Sequence, residues 1–325
     1  MFRQTLLAFV AATVFVAAAQ AQSFPVTIEH ALGSTTIEAQ PERVVTWGWS
    51  AQDVTIDLGV APVGMPFFAY GGGEDGILPW TEAAIAERGM DMPAILPNVT
   101  EPPIEAIAAL APDVILAPYS GLTPDEYALL SNIAPVVAYP EKPWFASWQQ
   151  VVTMTGEALG RSAEAEKLVA DTETFLKAEL AKYPDAPGTV FANVVNRNDG
   201  QVSVRLEGDP RVQLFADIGL VPSEAPKDAA INDTGIAYAV SYENFDKIPG
   251  EMLLIFFNDQ KSADDFFALD LIKLSPLVSK GAYTKLIGEE LTMAVSGAVT
   301  PISLRWGFPQ VAEEVGRAAM AAKAE

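Results

Sequence analysis

The chain has 325 residues, half of them hydrophobic, and a formal net charge of −22 at pH 7. That length suits two domains of ordinary size, and so acidic a surface repels nucleic acid and anionic lipid, both of which need basic patches. The lack of cysteine excludes disulfides, thiolate metal sites, a Cys nucleophile and anchoring through a lipidated Cys, and one histidine, His30, is too few for a zinc or manganese site.

At the N-terminus, Arg3 precedes an apolar run from Leu6 to Ala19, and Ala19-Gln20-Ala21 follows it. This layout predicts a secretory signal peptide over residues 1–21, cut after Ala21; the run is short of the about 20 apolar residues of a membrane span. Residues 22–43 read as a hairpin, with Val26-Thr27-Ile28, a turn at Leu32-Gly33-Ser34, then Thr35-Thr36-Ile37. From Arg43 short strands alternate with helices, the pattern of an α/β fold with a parallel sheet. Val44 to Trp47 is a strand, Ser50 caps a helix that stops at Gly59, and Val63-Gly64 opens the next strand. A helix over 103–110 leads into the strand Asp113 to Leu116; a helix over 124–133 leads into Val136-Val137-Ala138.

Trp148 to Tyr183 is helical in composition, and from Ser162 to Tyr183 it holds no Gly or Pro. At about 1.5 Å per residue such a helix crosses the back of a domain. A second strand–helix series begins at Thr189-Val190-Phe191. The predicted organisation is an N-terminal lobe over 22–160, a linking helix over 161–184 and a C-terminal lobe over 185–325.

An internal match supports two similar lobes. Glu105, Ile107, Leu110, Pro112 and Asp113 recur at the same spacing as Glu243, Phe245, Ile248, Gly250 and Glu251, each set leading into a buried strand. Other motifs carry less. Gly71 to Gly76 matches a dinucleotide fingerprint in form, but Glu74 and Asp75 would repel pyrophosphate and Pro79 follows closely, so a mobile surface loop is expected. No G-x-S-x-G elbow occurs. Carboxylate pairs such as Asp264-Asp265 are expected by chance among 42 acids.

Aromatic residues at strand ends point to a cleft, because ligands of open α/β sheets sit at the carboxyl ends of strands. Trp47 and Trp49 share a face after the first strand, Phe68 and Tyr70 follow the second, and Tyr119 follows the third. Arg305 and Trp306 are placed after the last strand of the second lobe. Arg197, Arg205 and Arg305 are the basic residues available to a ligand.

Together, Pro41-Glu42-Arg43-Val44-Val45, Leu58-Gly59-Val60-Ala61-Pro62-Val63-Gly64, Ile104-Glu105-Ala106-Ile107 before Ala111-Pro112-Asp113-Val114-Ile115, and Gly156-Glu157-Ala158-Leu159-Gly160 give the chain a family likeness. It resembles the ferric-siderophore-binding proteins of ABC importers, within a group that also holds vitamin B12- and haem-binding proteins. The resemblance implies two Rossmann-like lobes joined by one long α-helix, with the ligand cleft between them. It implies a protein that hands a ferric siderophore to an inner-membrane ABC permease; the cleavable leader and the lack of a Cys to lipidate lead to the expectation of a periplasmic monomer that is not lipid-anchored. Glu105 and Glu243 match the carboxylates that dock such proteins onto permease arginines. Expected ligand contacts are Trp47, Trp49, Phe68, Tyr70, Tyr119, Arg205, Arg305 and Trp306; no catalytic residue, protein-held metal or cofactor is expected, iron arriving in its chelator. With few basic residues available, a hydroxamate or mixed, nearly neutral chelate is favoured. The alternatives are a haem or corrinoid, with Tyr70 or Tyr119 as a haem ligand, and a periplasmic glycan hydrolase with two catalytic carboxyls.

Overall fold

The computed structural model describes residues 23–324; the predicted signal peptide lies outside them. Strands β1 (Val26–His30) and β2 (Gly33–Ile37) form the antiparallel hairpin. In β1 burial alternates, so Val26, Ile28 and His30 face the protein. Thr35 donates through Oγ1 to the Val136 carbonyl at 2.6 Å, and His30 Nε2 lies 2.9 Å from the same hydroxyl. The lone histidine is thus part of the hairpin's seat.

The N-terminal lobe continues β3 (Val44–Thr46), α1 (Ala51–Asp57), β4 (Gly64–Met65), α2 (Pro79–Glu87), β5 (Ala94–Ile95), α3 (Ile104–Ala109), β6 (Val114–Leu116), α4 (Pro124–Ser131) and β7 (Val136–Val137). The strands form a parallel sheet in the order β5-β4-β3-β6-β7. Helices cover both faces, so β3 and β6 are wholly buried and read as unbroken apolar runs. The order reverses between β3 and β6, and that reversal opens a crevice at their carboxyl ends.

Helix α5 (Trp148–Ala158) starts with a capping box between Ser147 and Gln150, and α6 (Ser162–Leu180) is the linking helix, ending four residues before the expected boundary at 184. The C-terminal lobe contains β8 (Val190–Asn196), β9 (Gln201–Arg205), α7 (Pro210–Asp217), β10 (Val221–Pro222), β11 (Ala237–Ser241), a 3₁₀ helix at Tyr242–Lys247 and β12 (Met252–Phe257). Then come α8 (Gln260–Ala268), α9 (Asp270–Lys273), α10 (Pro276–Lys280), β13 (Leu286–Ile287), α11 (Glu289–Thr292), a π-helical turn at Met293–Gly297 and α12 (Pro301–Lys323). Its sheet runs β11-β9-β8-β12-β13 and is mixed, because β9 and β11 are antiparallel to their neighbours. The simple strand–helix series expected for this lobe is therefore interrupted by a hairpin at Asn198-Asp199-Gly200.

The internal match has a structural cause. Asp113 accepts from the Arg43 N–H at 3.0 Å and returns a bond from its own N–H to the Arg43 carbonyl at 3.0 Å. Glu251 does the same at the start of β8, accepting from the Val190 N–H at 2.8 Å and donating to the Val190 carbonyl at 2.7 Å. The acid of each repeat thus pairs with the residue that enters its lobe's first strand. Ile107 and Phe245 are the buried anchors of the preceding helices, and Glu105 and Glu243 stand exposed on their first turns.

The lobes are joined by more than α6. One hydrophobic cluster includes Val54 and Ile56 of α1, Leu176 of α6, Phe191 and Phe215 of the C-terminal lobe, and Leu304 and Phe308 of α12. Behind the cleft, fully buried Asp53 accepts from Trp80 Nε1 at 2.7 Å, Thr81 Oγ1 at 2.5 Å and Thr300 Oγ1 at 2.9 Å. Thr300 is also the N-cap of α12, so one carboxylate ties α1 and α2 to the C-terminal helix.

Candidate functional site

At the end of β3 the chain turns sharply. Gly48 has φ +80, and a Cβ there would lie 2.5 Å from the Tyr119 carbonyl; only glycine lets this segment press against the end of β6. The Trp49 N–H donates to that carbonyl at 2.9 Å. Ser50 follows with φ +79 and makes no side-chain cap to α1, contrary to the helix-capping role expected for it. Trp49 is thereby projected into the crevice, half-buried.

A cavity of about 350 Å³ lies there between the lobes. Trp49 and Tyr70 line it from the N-terminal lobe; the ends of β8 and β12, including Asn196, Phe256, Phe257 and Asn258, line it from the other, with Arg205, Arg211 and Ser296. Among the described residues that line it, the two arginines are the only side chains with a formal charge. Arg211 donates through Nε to the Ser296 carbonyl at 2.8 Å and through Nη1 to Asp209 at 3.2 Å. Arg205 Nη1 donates to Ser296 Oγ at 3.3 Å and its Nε lies 3.6 Å from Asp209. Asp209 is buried behind them and caps α7, so it holds both guanidinium groups in place while cancelling one of the two charges. Burial, aided by the nearby charge of Arg211, pulls Arg205 down to about 10, which leaves it protonated at neutral pH.

Tyr119 is 6% exposed, with its hydroxyl 3.5 Å from Arg211 Nη2. Tyr70 reaches across the opening and donates to Asn258 Oδ1 at 2.6 Å. Burial pushes both phenols up from their ordinary pKa, so neither is prepared as a phenolate. The Gly71–Gly76 loop beyond Tyr70, expected to be a mobile surface loop, closes on itself through Phe68 N–H to Gly76 O at 2.9 Å and Ile77 N–H to Gly72 O at 2.9 Å. The Gly71 N–H reaches Glu289 of the other lobe at 3.4 Å.

Of the residues expected at the cleft, Trp49, Tyr70 and Arg205 line this cavity, and Tyr119 lies outside its lining, against Trp49 and Arg211, in a smaller neighbouring cavity. Trp47, 9% exposed, borders an adjoining cavity that shares Trp49. Phe68 is 3% exposed and packs into the core beneath the glycine loop. Arg305 and Trp306 are also displaced from the expectation. They sit on α12, not after a strand, and face α1 and α2: Arg305 pairs with Asp57, and Trp306 packs on Trp80 with ring centroids 5.3 Å apart. Arg197 pairs with Asp199 in the β8–β9 hairpin. Arg211 was missed, although Asp209-Pro210 is a helix-start signature that places it in the first turn of α7.

The sequence profile of the periplasmic binding proteins matches residues 80–278. The ferric enterobactin-binding periplasmic protein of Escherichia coli is 28% identical over 281 residues, which cover 81% of this chain and 84% of that protein. The Fe(3+) dicitrate-binding periplasmic protein of Escherichia coli K12 is 29% identical over 215 residues, 66% of this chain and 68% of the relative. Among solved structures, the iron-uptake substrate-binding protein PiaA of Streptococcus pneumoniae TIGR4, in complex with ferrichrome, superposes with a TM-score of 0.80 at 31% identity over 91% of this chain and 99% of its own. Two α/β lobes, a long joining helix, a cleft at the strand ends and these matches agree: the chain belongs to the periplasmic binding protein family.

Proposed function

We propose that this protein captures a ferric siderophore in the cleft between its lobes and delivers it to an ABC permease in the inner membrane. The observation that carries the reading is the cavity over Trp49, with two charged arginines converging on aromatic walls. Such a lining suits a flat, oxygen-rich iron chelate: the rings supply apolar and π contact, and the guanidinium groups meet anionic oxygens. No group of three or more His, Asp or Glu among the described residues is placed to hold a metal ion; in this reading iron enters already coordinated by its chelator. The scarcity of basic residues favoured a nearly neutral chelate, but a cleft that concentrates two arginines favours an anionic one, such as a catecholate or citrate-type complex.

The protein works outside the cytoplasm, exported by the leader at residues 1–21. Glu105 and Glu243, exposed at equivalent points of the two lobes, are the docking carboxylates for the permease. Tryptophan emission of the mature protein, titrated with ferric enterobactin, ferric citrate, ferrichrome, haem and cobalamin, tests the reading. Saturable quenching by a ferric chelate at micromolar concentration or below supports it, and a response confined to haem or cobalamin overturns it.

A further inference from the structure

On the N-terminal side of Trp49 lies a second cavity of about 470 Å³, built differently from the first. Its walls include Trp47, Trp49, Phe67 and Trp144, and among the described residues that line it the charged ones are Glu101 and Glu126, with no Lys or Arg. Glu126 uses Oε2 to accept from the Thr123 N–H and hydroxyl at 2.7 and 2.9 Å. Glu101 has no hydrogen bond or ion pair among the described residues. Trp49 borders both cavities, so one indole separates a positive compartment from a negative one.

Trp144 is placed there against backbone preference. Its φ is +61, a strained value for a bulky residue, and the residue is still 38% exposed. The Trp144 N–H donates to the Ser120 carbonyl at 3.1 Å, and its indole rests over Gly121, where a Cβ would come within 2.5 Å of Nε1. Its ring lies 5.3 Å from Trp49 and 5.6 Å from Tyr119, centroid to centroid. A strained, exposed, braced tryptophan at a cavity wall is the sort of outlier that marks a ligand contact.

Several aromatic faces beside carboxylates attract an organic ammonium group: the rings offer their negative π faces and the carboxylates supply the counter-charge. We propose that this compartment is a subsite for a protonated amine on the ligand. It rests on the siderophore reading given above and sharpens it: the chelate is dipolar, with an anionic iron-binding head at Arg205 and Arg211 and an ammonium-bearing arm lying across Trp49 towards Glu101.

The test uses an iron-free probe. Mature wild-type protein is titrated with n-butylammonium chloride and with n-butanol, following tryptophan emission, and the same is done with a Glu101→Gln/Glu126→Gln variant. Gln at 126 still completes the capping box with Thr123, so α4 keeps its start. The ammonium should give a saturable change that butanol does not, and the double variant should weaken it by roughly threefold to tenfold, as for exposed ion pairs. An equal response to butanol, or an unchanged one in the variant, overturns the subsite. Because the probe holds no iron, a silent titration in protein that still binds ferric chelates removes only the subsite. A positive one in protein that binds no chelate upholds the subsite and removes the siderophore reading.

Discussion

Arg305 of α12 grips Asp57 of α1 through both carboxylate oxygens, at 2.9 and 2.7 Å. The two residues belong to opposite lobes, and Arg88 closes the cluster at 2.6 Å. Asp57 is almost wholly buried, and burial pushes its pKa up against the pull of the two arginines. The pair therefore works as a clamp behind the cleft, away from the ligand. Arg305→Ala should lower stability by about 1–3 kcal/mol, less than for a buried acid stripped of every partner because Arg88 remains. Chelate affinity should stay within about twofold of wild type, well below the tenfold of 1.4 kcal/mol. Chemical denaturation beside ligand titration checks both, and a selective loss of binding would return Arg305 to the site.

Asp53 gives a pH signature. Burial raises it to about 6 despite three hydrogen bonds that pull the other way. Between its unfolded value and about 6 the folded state binds more protons than the unfolded state, so this group's contribution to stability falls as pH rises through that window. The penalty at pH 7 is on the order of 3 kcal/mol. Asp57 shifts in the same direction, so the useful quantity is the difference between wild type and Asp53→Asn. That difference should grow in favour of the variant from pH 4 to pH 7. Asp53→Ala, by contrast, strands the donors Trp80, Thr81 and Thr300 and should cost about 3 kcal/mol or more. A stability difference between wild type and Asp53→Asn that does not change with pH would contradict the assignment.

Closure on binding should be small. α6 gives one rigid link, and α12, through Arg305, Trp306 and Thr300, gives a second on the N-terminal lobe. A hinge needs a few residues free to absorb large backbone changes, and these contacts leave little freedom behind the cleft. Solution scattering of free and chelate-bound protein should give nearly superimposable curves; domain closure of tens of degrees would refute this.

Docking separates from binding. Glu105→Ala and Glu243→Ala should each leave chelate affinity unchanged and slow uptake in cells, and replacing both by Lys should abolish uptake through like-charge repulsion at the permease. Normal uptake by the double Lys variant would discard these residues as the docking points.

The N-terminal lobe was legible because its strands are short apolar runs between breakers, and a parallel sheet covered on both faces produces that pattern. The repeat from Glu105 to Asp113 and from Glu243 to Glu251 was legible too, though the reason for its last acid, a bond to the residue entering each lobe's first strand, appears only in three dimensions. The antiparallel β8–β9 hairpin was overlooked although Asn198-Asp199-Gly200 is a turn signal. Arg305 and Trp306 were misplaced because they sit within α12, which Pro301 opens, and not at the end of a strand. Trp144 could not have been found from sequence: its exposure depends on a positive φ and on the space above Gly121.

The most direct test of the account is the dissociation constant of ferric enterobactin or ferric citrate, whichever binds tighter, for wild type, Arg205→Gln and Arg211→Gln at fixed salt. Each substitution removes a charge-assisted donor from the cleft and should weaken binding by roughly tenfold to a hundredfold, with Trp49 quenching retained at saturation. Wild-type affinity in both arginine variants would contradict the placement of the chelate in this cleft.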